Sequence, residues 1–201
     1  MDKSYSVVHR SLAKIDALGL IQGKPAYTDD LAPGDALVVK LLRSPYAFAK
    51  IKSIDKSQAL AVGGVACILD WKDVPRIPYT RAGQGHPEPS PHDRFILDNY
   101  VRYIGDEVAI VAAEDEATAE KAISLIKVEY EILEPLLDFE KAIDNTVVVH
   151  PESEIHDMFP IGFEPGRNIA ASYKMRIGDV EKELSASDVV LRRSFFTQAQ
   201  A

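Results

Sequence analysis

Hydrophobic and polar positions are most sharply ordered between Tyr103 and Pro135, YIGDEVAIVAAEDEATAEKAISLIKVEYEILEP. From Glu107 to Ala113 the run is almost continuously apolar (Val108, Ala109, Ile110, Val111, Ala112, Ala113), which predicts a strand covered on both faces and central in its sheet. Asp115 and Glu116 then place negative charge where a helix begins, opposite the positive end of its dipole. Ala119, Ala122, Ile123 and Ile126 recur at helical spacing while Glu120, Lys121 and Ser124 look outward, so the helix packs on the sheet. Val128, Tyr130 and Ile132 alternate with Glu129 and Glu131, the period of a strand with one wet face, and Pro135 ends it.

The flanking patterns are shorter. Met1 to Asp30 reads as an extended arm, with Gly19, Gly23 and Pro25 interrupting any helix, followed by a turn at Pro33 and Gly34. Ala36 to Ser44 is a strand stopped by Pro45, and Ile51 with Ile54 brackets another. Ser57 to Val62 predicts one or two helical turns closed by Gly63 and Gly64, and Val65 to Leu69 returns to the sheet. Between Val74 and Asp98, Pro75, Pro78, Pro87, Pro89 and Pro91 with Gly83 and Gly85 make a long loop, of the kind that carries function or contacts a neighbour. Phe139 to Ile143 predicts a short helix, and the polar stretch with Pro151, Pro160, Pro165 and Gly166 a linker. Asn168 to Arg176, Asp179 to Ser185 and Val189 to Phe196 then read as strand, helix, strand. Phe195 and Phe196 need partners, since burying each is worth roughly 1.5 to 3 kcal/mol.

Composition narrows the classes. A chain of 201 residues with 46% hydrophobic content can bury one good core or two small ones. Its formal net charge of −8 argues against nucleic acid, whose binding rests on clustered Lys and Arg, and the doublet Arg192 and Arg193 reads as a solvated surface pair. Cys67 is the single cysteine, so neither an internal disulfide nor a Cys-based zinc or iron–sulfur cluster can be built from this chain alone. Its apolar neighbours predict a small buried strand residue. No apolar run approaches a membrane span and MDKSYSVVHR lacks the core of a secretion signal, so a cytoplasmic location is expected.

Candidate chemistry fails on spacing. His86 with His92, and His150 with His156, each have five residues between them, which faces the side chains apart on a helix, and PEPSP between the first two bars a regular strand. Asp29 with Asp30, Asp106 with Glu107, and Glu114 to Glu116 are adjacent in sequence, whereas acid and base work needs one carboxylate desolvated and another charged across a pocket. Turn, strand-edge and helix-start roles suit them better. The GQG at Gly83 to Gly85 lacks the Lys and strand-to-helix setting of a phosphate loop, and Ser44 lacks flanking glycines for a nucleophile elbow. No residue is assigned a catalytic, cofactor-binding or metal-ligating role.

The segment GDEVAIVAAEDEATAEKAISLIKVEYEILEP resembles the N-terminal domain of the molybdenum-binding large subunit in the xanthine dehydrogenase and aldehyde oxidase family, and KIDALGLIQGKPAYTDDL and LLRSPYAFAKIKSID support the match in the same chain order. YTRAGQGHPEPSP, from Tyr79 to Pro91, is similar to the inserted loop of xanthine dehydrogenase members, including those related to selenium-dependent hydroxylases, which favours purines over simple aldehydes. The resemblance implies an α+β fold. An N-terminal arm (1–13) would lead into an α/β-hammerhead domain with a mixed sheet (14–144), a linker (145–167) and the first elements of an incomplete molybdopterin-binding domain (168–201).

By the same resemblance the parent would be a molybdopterin-dependent oxidoreductase acting on purine-like or other N-heterocyclic or aldehyde substrates. Its iron–sulfur clusters and FAD would sit on other domains or subunits, and its catalytic groups in later domains, so no catalysis is expected of this chain alone. Lys14 stands where the family's arm commonly has Arg, His9 where glycine is frequent, and QAQA replaces the longer continuation expected after FFTQ. The alternatives are a stand-alone interaction or regulatory module with the hammerhead fold, and a small metal-dependent hydrolase using the histidines.

Overall fold

The computed structural model describes residues 5–24, 27–28, 31–81 and 89–198. The chain divides into two compact units, residues 1–76 with 96–135, and residues 77–95 with 136–201. The first is built around the strand expected to be central. β1 (Val38–Arg43), β2 (Ala49–Asp55), α2 (Ser57–Leu60), β3 (Val65–Leu69), β4 (Tyr100–Val101), β5 (Glu107–Ala113), α3 (Glu116–Leu125) and β6 (Lys127–Ile132) form two three-stranded sheets, ordered β1-β5-β3 and β4-β2-β6. The apolar run of β5 lies between β1 and β3. Its Ala109, Val111 and Ala113 belong to a core with Ala59, Ile68, Ala119, Ala122 and Ile126, while Val108 belongs to a second with Ala49, Ile51 and Val101. Cover on both faces is why no polar residue interrupts the run.

The α+β class holds, but every named strand pair is antiparallel where a mixed sheet is expected. After β5 the chain passes through α3 and joins the other sheet, so β6 pairs with β2 and not beside β5. Asp115 starts α3 as expected, its Oδ1 accepting from the Thr118 amide at 2.7 Å. Lys40 on β1 pairs with Glu116 and Glu120 on the outer face of the helix. At α2, Asp55 Oδ1 accepts from the Ser57 amide at 3.0 Å and from its hydroxyl at 2.7 Å. Gly64 then turns the chain with φ +88°, a backbone that glycine adopts without strain.

Three further expectations are corrected. The arm contains a short helix, α1 (Ala17–Ile21), with Gly19 inside it, because a single glycine weakens a helix without forbidding it. Cys67 is half-buried, since β3 lies at the edge of its sheet among the described strands. Residues 168–176 and 189–196 form no strand among the described residues, and only α4 (Val180–Ala186) of the expected strand, helix, strand series is present. Strands need partners for their backbone groups, and every described residue from Ala170 to Gln198 is exposed.

The second unit is mostly irregular backbone tied by specific hydrogen bonds. Isolated antiparallel bridges join Tyr79 to Arg94, His92 to His156 and Glu164 to Ile169. Asn168, at φ +58°, donates from Nδ2 to the carbonyls of Ala142 (2.9 Å) and Val147 (2.8 Å), and its Oδ1 accepts from the Val149 amide (2.9 Å). Arg167 grips Asp144 through Nε (2.6 Å) and Nη2 (2.9 Å). Single-turn 3₁₀ segments at Phe139–Lys141 and Pro165–Arg167 lie within this network. Among the described residues no helix is long and apolar enough to cross a membrane.

Candidate functional site

Of the carboxylates singled out from sequence, Asp106 and Asp115 hold backbone amides, Glu107 and Glu116 meet basic side chains, and Glu114 is exposed. Asp106 is buried, with Oδ2 accepting from the Arg102 amide (2.8 Å) and Oδ1 from the Glu107 amide (3.1 Å). Glu107 lies 3.7 Å from Arg43 and accepts from the Tyr103 hydroxyl at 3.2 Å. Glu114 is exposed and donates its amide to the Gly64 carbonyl, and Glu116 pairs with Lys40. Ser44 is buried and closes a local turn, its hydroxyl exchanging 3.0 Å hydrogen bonds with the Tyr46 carbonyl and amide. Asp106, Glu107, Glu116 and Ser44 therefore each have a structural partner. Asp29, Asp30, Gly83, Gly85 and His86 lie outside the described residues.

Topology pairs the histidines differently from their sequence spacing. His92 and His156 sit opposite each other, with their amides and carbonyls exchanging hydrogen bonds at 2.7 and 3.3 Å and their rings 5.1 Å apart. His150 is elsewhere in the same unit, its Nδ1 3.7 Å from Glu152 Oε2. It lines a cavity of about 290 Å³ whose walls are otherwise largely apolar: Leu136, Leu137, Phe139, Val149, Phe163 and Ile169, among others. His150 Nδ1 is buried, and among the described residues no hydrogen-bond partner reaches it. At the rim, Leu137 and Phe139 are 84% and 83% exposed. The cavity thus offers shape and apolar surface, which suits a docked side chain better than chemistry on a charged substrate. Among the described residues no group of three or more His, Cys, Asp or Glu side chains converges as a metal site.

The most consequential polar cluster is one that sequence reasoning missed. Asp98 is buried between two guanidinium groups, Arg76 Nη1 at 2.8 Å from Oδ1 and Arg102 Nη1 at 2.8 Å from Oδ2. Burial pushes its carboxyl up, but the hydrogen bonds from Arg76 and the charge of Arg102 prevail and hold it below the usual carboxylate range. The three residues flank the points where the chain leaves the first unit after Arg76 and re-enters at Ile96, so the cluster clamps the two ends of that excursion. No spacing rule links positions 76, 98 and 102. Only the i, i+4 relation of Asp98 and Arg102 is a local signal, and it lies outside any helix.

Comparison with known proteins places these observations in a family. Residues 22–134 match the family described as "Aldehyde oxidase and xanthine dehydrogenase, a/b hammerhead domain". The chain is 38% identical to the "Probable hypoxanthine oxidase XdhD" of Escherichia coli O157:H7 over 96% of its own length and 23% of the relative's. It is 34% identical to the "Xanthine dehydrogenase molybdenum-binding subunit" of the same organism, over 92% of this chain and 23% of that one. Among solved structures, the aldehyde oxidoreductase from Desulfovibrio gigas superposes with a TM-score of 0.55 at 29% identity, covering 68% of this chain and 16% of the other. The chain therefore spans about a quarter of the length of the curated relatives it matches. It belongs to the aldehyde oxidase and xanthine dehydrogenase family and carries that family's a/b hammerhead domain.

Proposed function

We propose that this chain serves as the N-terminal scaffold of a molybdenum hydroxylase large subunit, supporting cofactor domains that hydroxylate purine-like or other N-heterocyclic or aldehyde substrates. The observation that carries the reading is the employment of the polar groups in the family-matched segment: Asp106, Glu107, Asp115 and Glu116 are engaged in turns, a cap and ion pairs. A pterin cofactor carries phosphate and a polar fused ring, and the lining of the 290 Å³ cavity does not fit it. The polar lining of the 290 Å³ cavity is Asp93, His150 and Asn168; the Asn168 donors are committed to Ala142 and Val147, and Asp93 would oppose a phosphate.

The division into arm (1–13), hammerhead (14–144), linker (145–167) and opening of a molybdopterin-binding domain (168–201) is part of the proposal, supported by the family match at 22–134 lying inside the second segment. Partners bearing iron–sulfur clusters and FAD, and a cytoplasmic location, belong to the same proposal. The exposed apolar residues of 170–198, with Phe195 88% and Phe196 96% exposed, are the surface on which the following domain would close. The test is direct. The purified 201-residue chain, given a purine, a molybdopterin source and an electron acceptor, is expected to yield no oxidised product, while the same sequence within a complete large subunit assembly turns over. Oxidation by the chain alone overturns the reading.

A further inference from the structure

His92 and His156 come from segments far apart in sequence and meet across an antiparallel bridge. Mutual backbone hydrogen bonds at 2.7 and 3.3 Å fix the two Cα positions, so the side chains project from the same side of a rigid pair. The ring centroids are 5.1 Å apart and the planes are inclined by 37°. Two imidazoles bound to one ion through nitrogens about 2.0–2.1 Å from it have centroids roughly 5 Å apart, which is the separation already present. His156 has a second relevant contact. Its Nδ1 is 3.1 Å from the Glu154 carbonyl, and donation to that oxygen leaves Nε2 as the bare lone pair, the arrangement that outer-shell carbonyls impose on metal-bound histidines. His156 is exposed and His92 half-buried, so an ion can reach them without opening the fold.

The geometry points to a two-histidine site, His92 with His156, that binds a divalent transition-metal ion and cross-links residues 92 and 156 of the second unit. No third His, Cys, Asp or Glu joins the pair among the described residues, so water fills the remaining positions. A site with two imidazoles and open positions follows the general order in which Cu²⁺ binds more tightly than Ni²⁺ or Zn²⁺, and it excludes Mg²⁺ and Ca²⁺, which require oxygen ligands.

The test uses the full 201-residue chain without an affinity tag, titrated with Ni²⁺ or Cu²⁺ and followed by calorimetry, with Cu²⁺ paramagnetic resonance as a second readout. One saturable site is expected, with two imidazole nitrogens coupled to Cu²⁺. His92→Asn and His156→Asn should each weaken it by more than the roughly 10–100-fold that loss of an outer-shell partner costs, while His150→Asn leaves it unchanged. The bridge is made by backbone groups, so neither substitution removes the hydrogen bonds that hold it. Wild-type affinity in either bridge variant, or a Cu²⁺ spectrum with fewer than two imidazole nitrogens, overturns the assignment.

Discussion

Asp98 is buried and held by two arginines at 2.8 Å each, so its side chain is a sensitive point of the first unit. Asp98→Asn keeps the shape and removes the charge, leaving two guanidinium groups facing a neutral amide. The expected loss is about 2–4 kcal/mol, read as a lower urea midpoint. The pH dependence follows from the sign of the shift. The folded-state carboxyl is held below its unfolded value, so the contribution is complete above about pH 4 and fades as the pH falls through the folded value. The variant should lose that part of the acid sensitivity. Gly162 is a second sensitive position, at φ +74°, where an added Cβ would lie 2.7 Å from the Ser172 carbonyl oxygen. Gly162→Ala should destabilise the second unit by about 1–3 kcal/mol in denaturant titration. Neither position stands out in the sequence. Asp98 is one of many acids in a loop, and Gly162 owes its importance to a residue ten positions on.

At the scale of elements, the pairing of β5 with α3 is what the sequence made most legible. Period and composition determine both, and the structure places Ala109, Ala113, Ala119 and Ala122 fully buried in one core. Alanine on both sides of this contact lets the helix approach the sheet closely, so the site has no room for a longer side chain. Ala122→Leu should destabilise by about 1–3 kcal/mol through overpacking, whereas Lys121→Ala on the outer face should stay near neutral; thermal melts of the two variants separate the effects. Removing the cap with Asp115→Ala should lower the melting temperature as well, and Asp115→Ser should restore most of it. What stayed illegible was pairing between distant strands. A run such as Val128 to Ile132 shows its period but not its partner, and its place beside β2 follows from where the helix delivers the chain. The same holds for His92 and His156, whose relation is set by topology.

Across the whole molecule, burial is distributed unevenly. The first unit owns two cores, and the second rests on hydrogen-bonded turns around a small apolar cavity, while its residues from Ala170 to Gln198 are exposed throughout. Tyr173, Met175, Ile177, Val189, Leu191, Phe195 and Phe196 make that exposed stretch strongly apolar, a composition that water alone does not favour. Their period predicts strands, and strands would satisfy both backbone and side chains if neighbours supplied the pairing. The scaffold account therefore turns on what happens to these residues when the rest of a large subunit is present. Amide hydrogen exchange, measured on the chain alone and on the same residues within a complete large subunit, tests this most directly. The account predicts strong protection of β5 and α3 in both, little protection of 170–198 in the chain alone, and a large gain there and around Leu137 and Phe139 in the complete subunit. Equal exchange of residues 170–198 in the two contexts would contradict it.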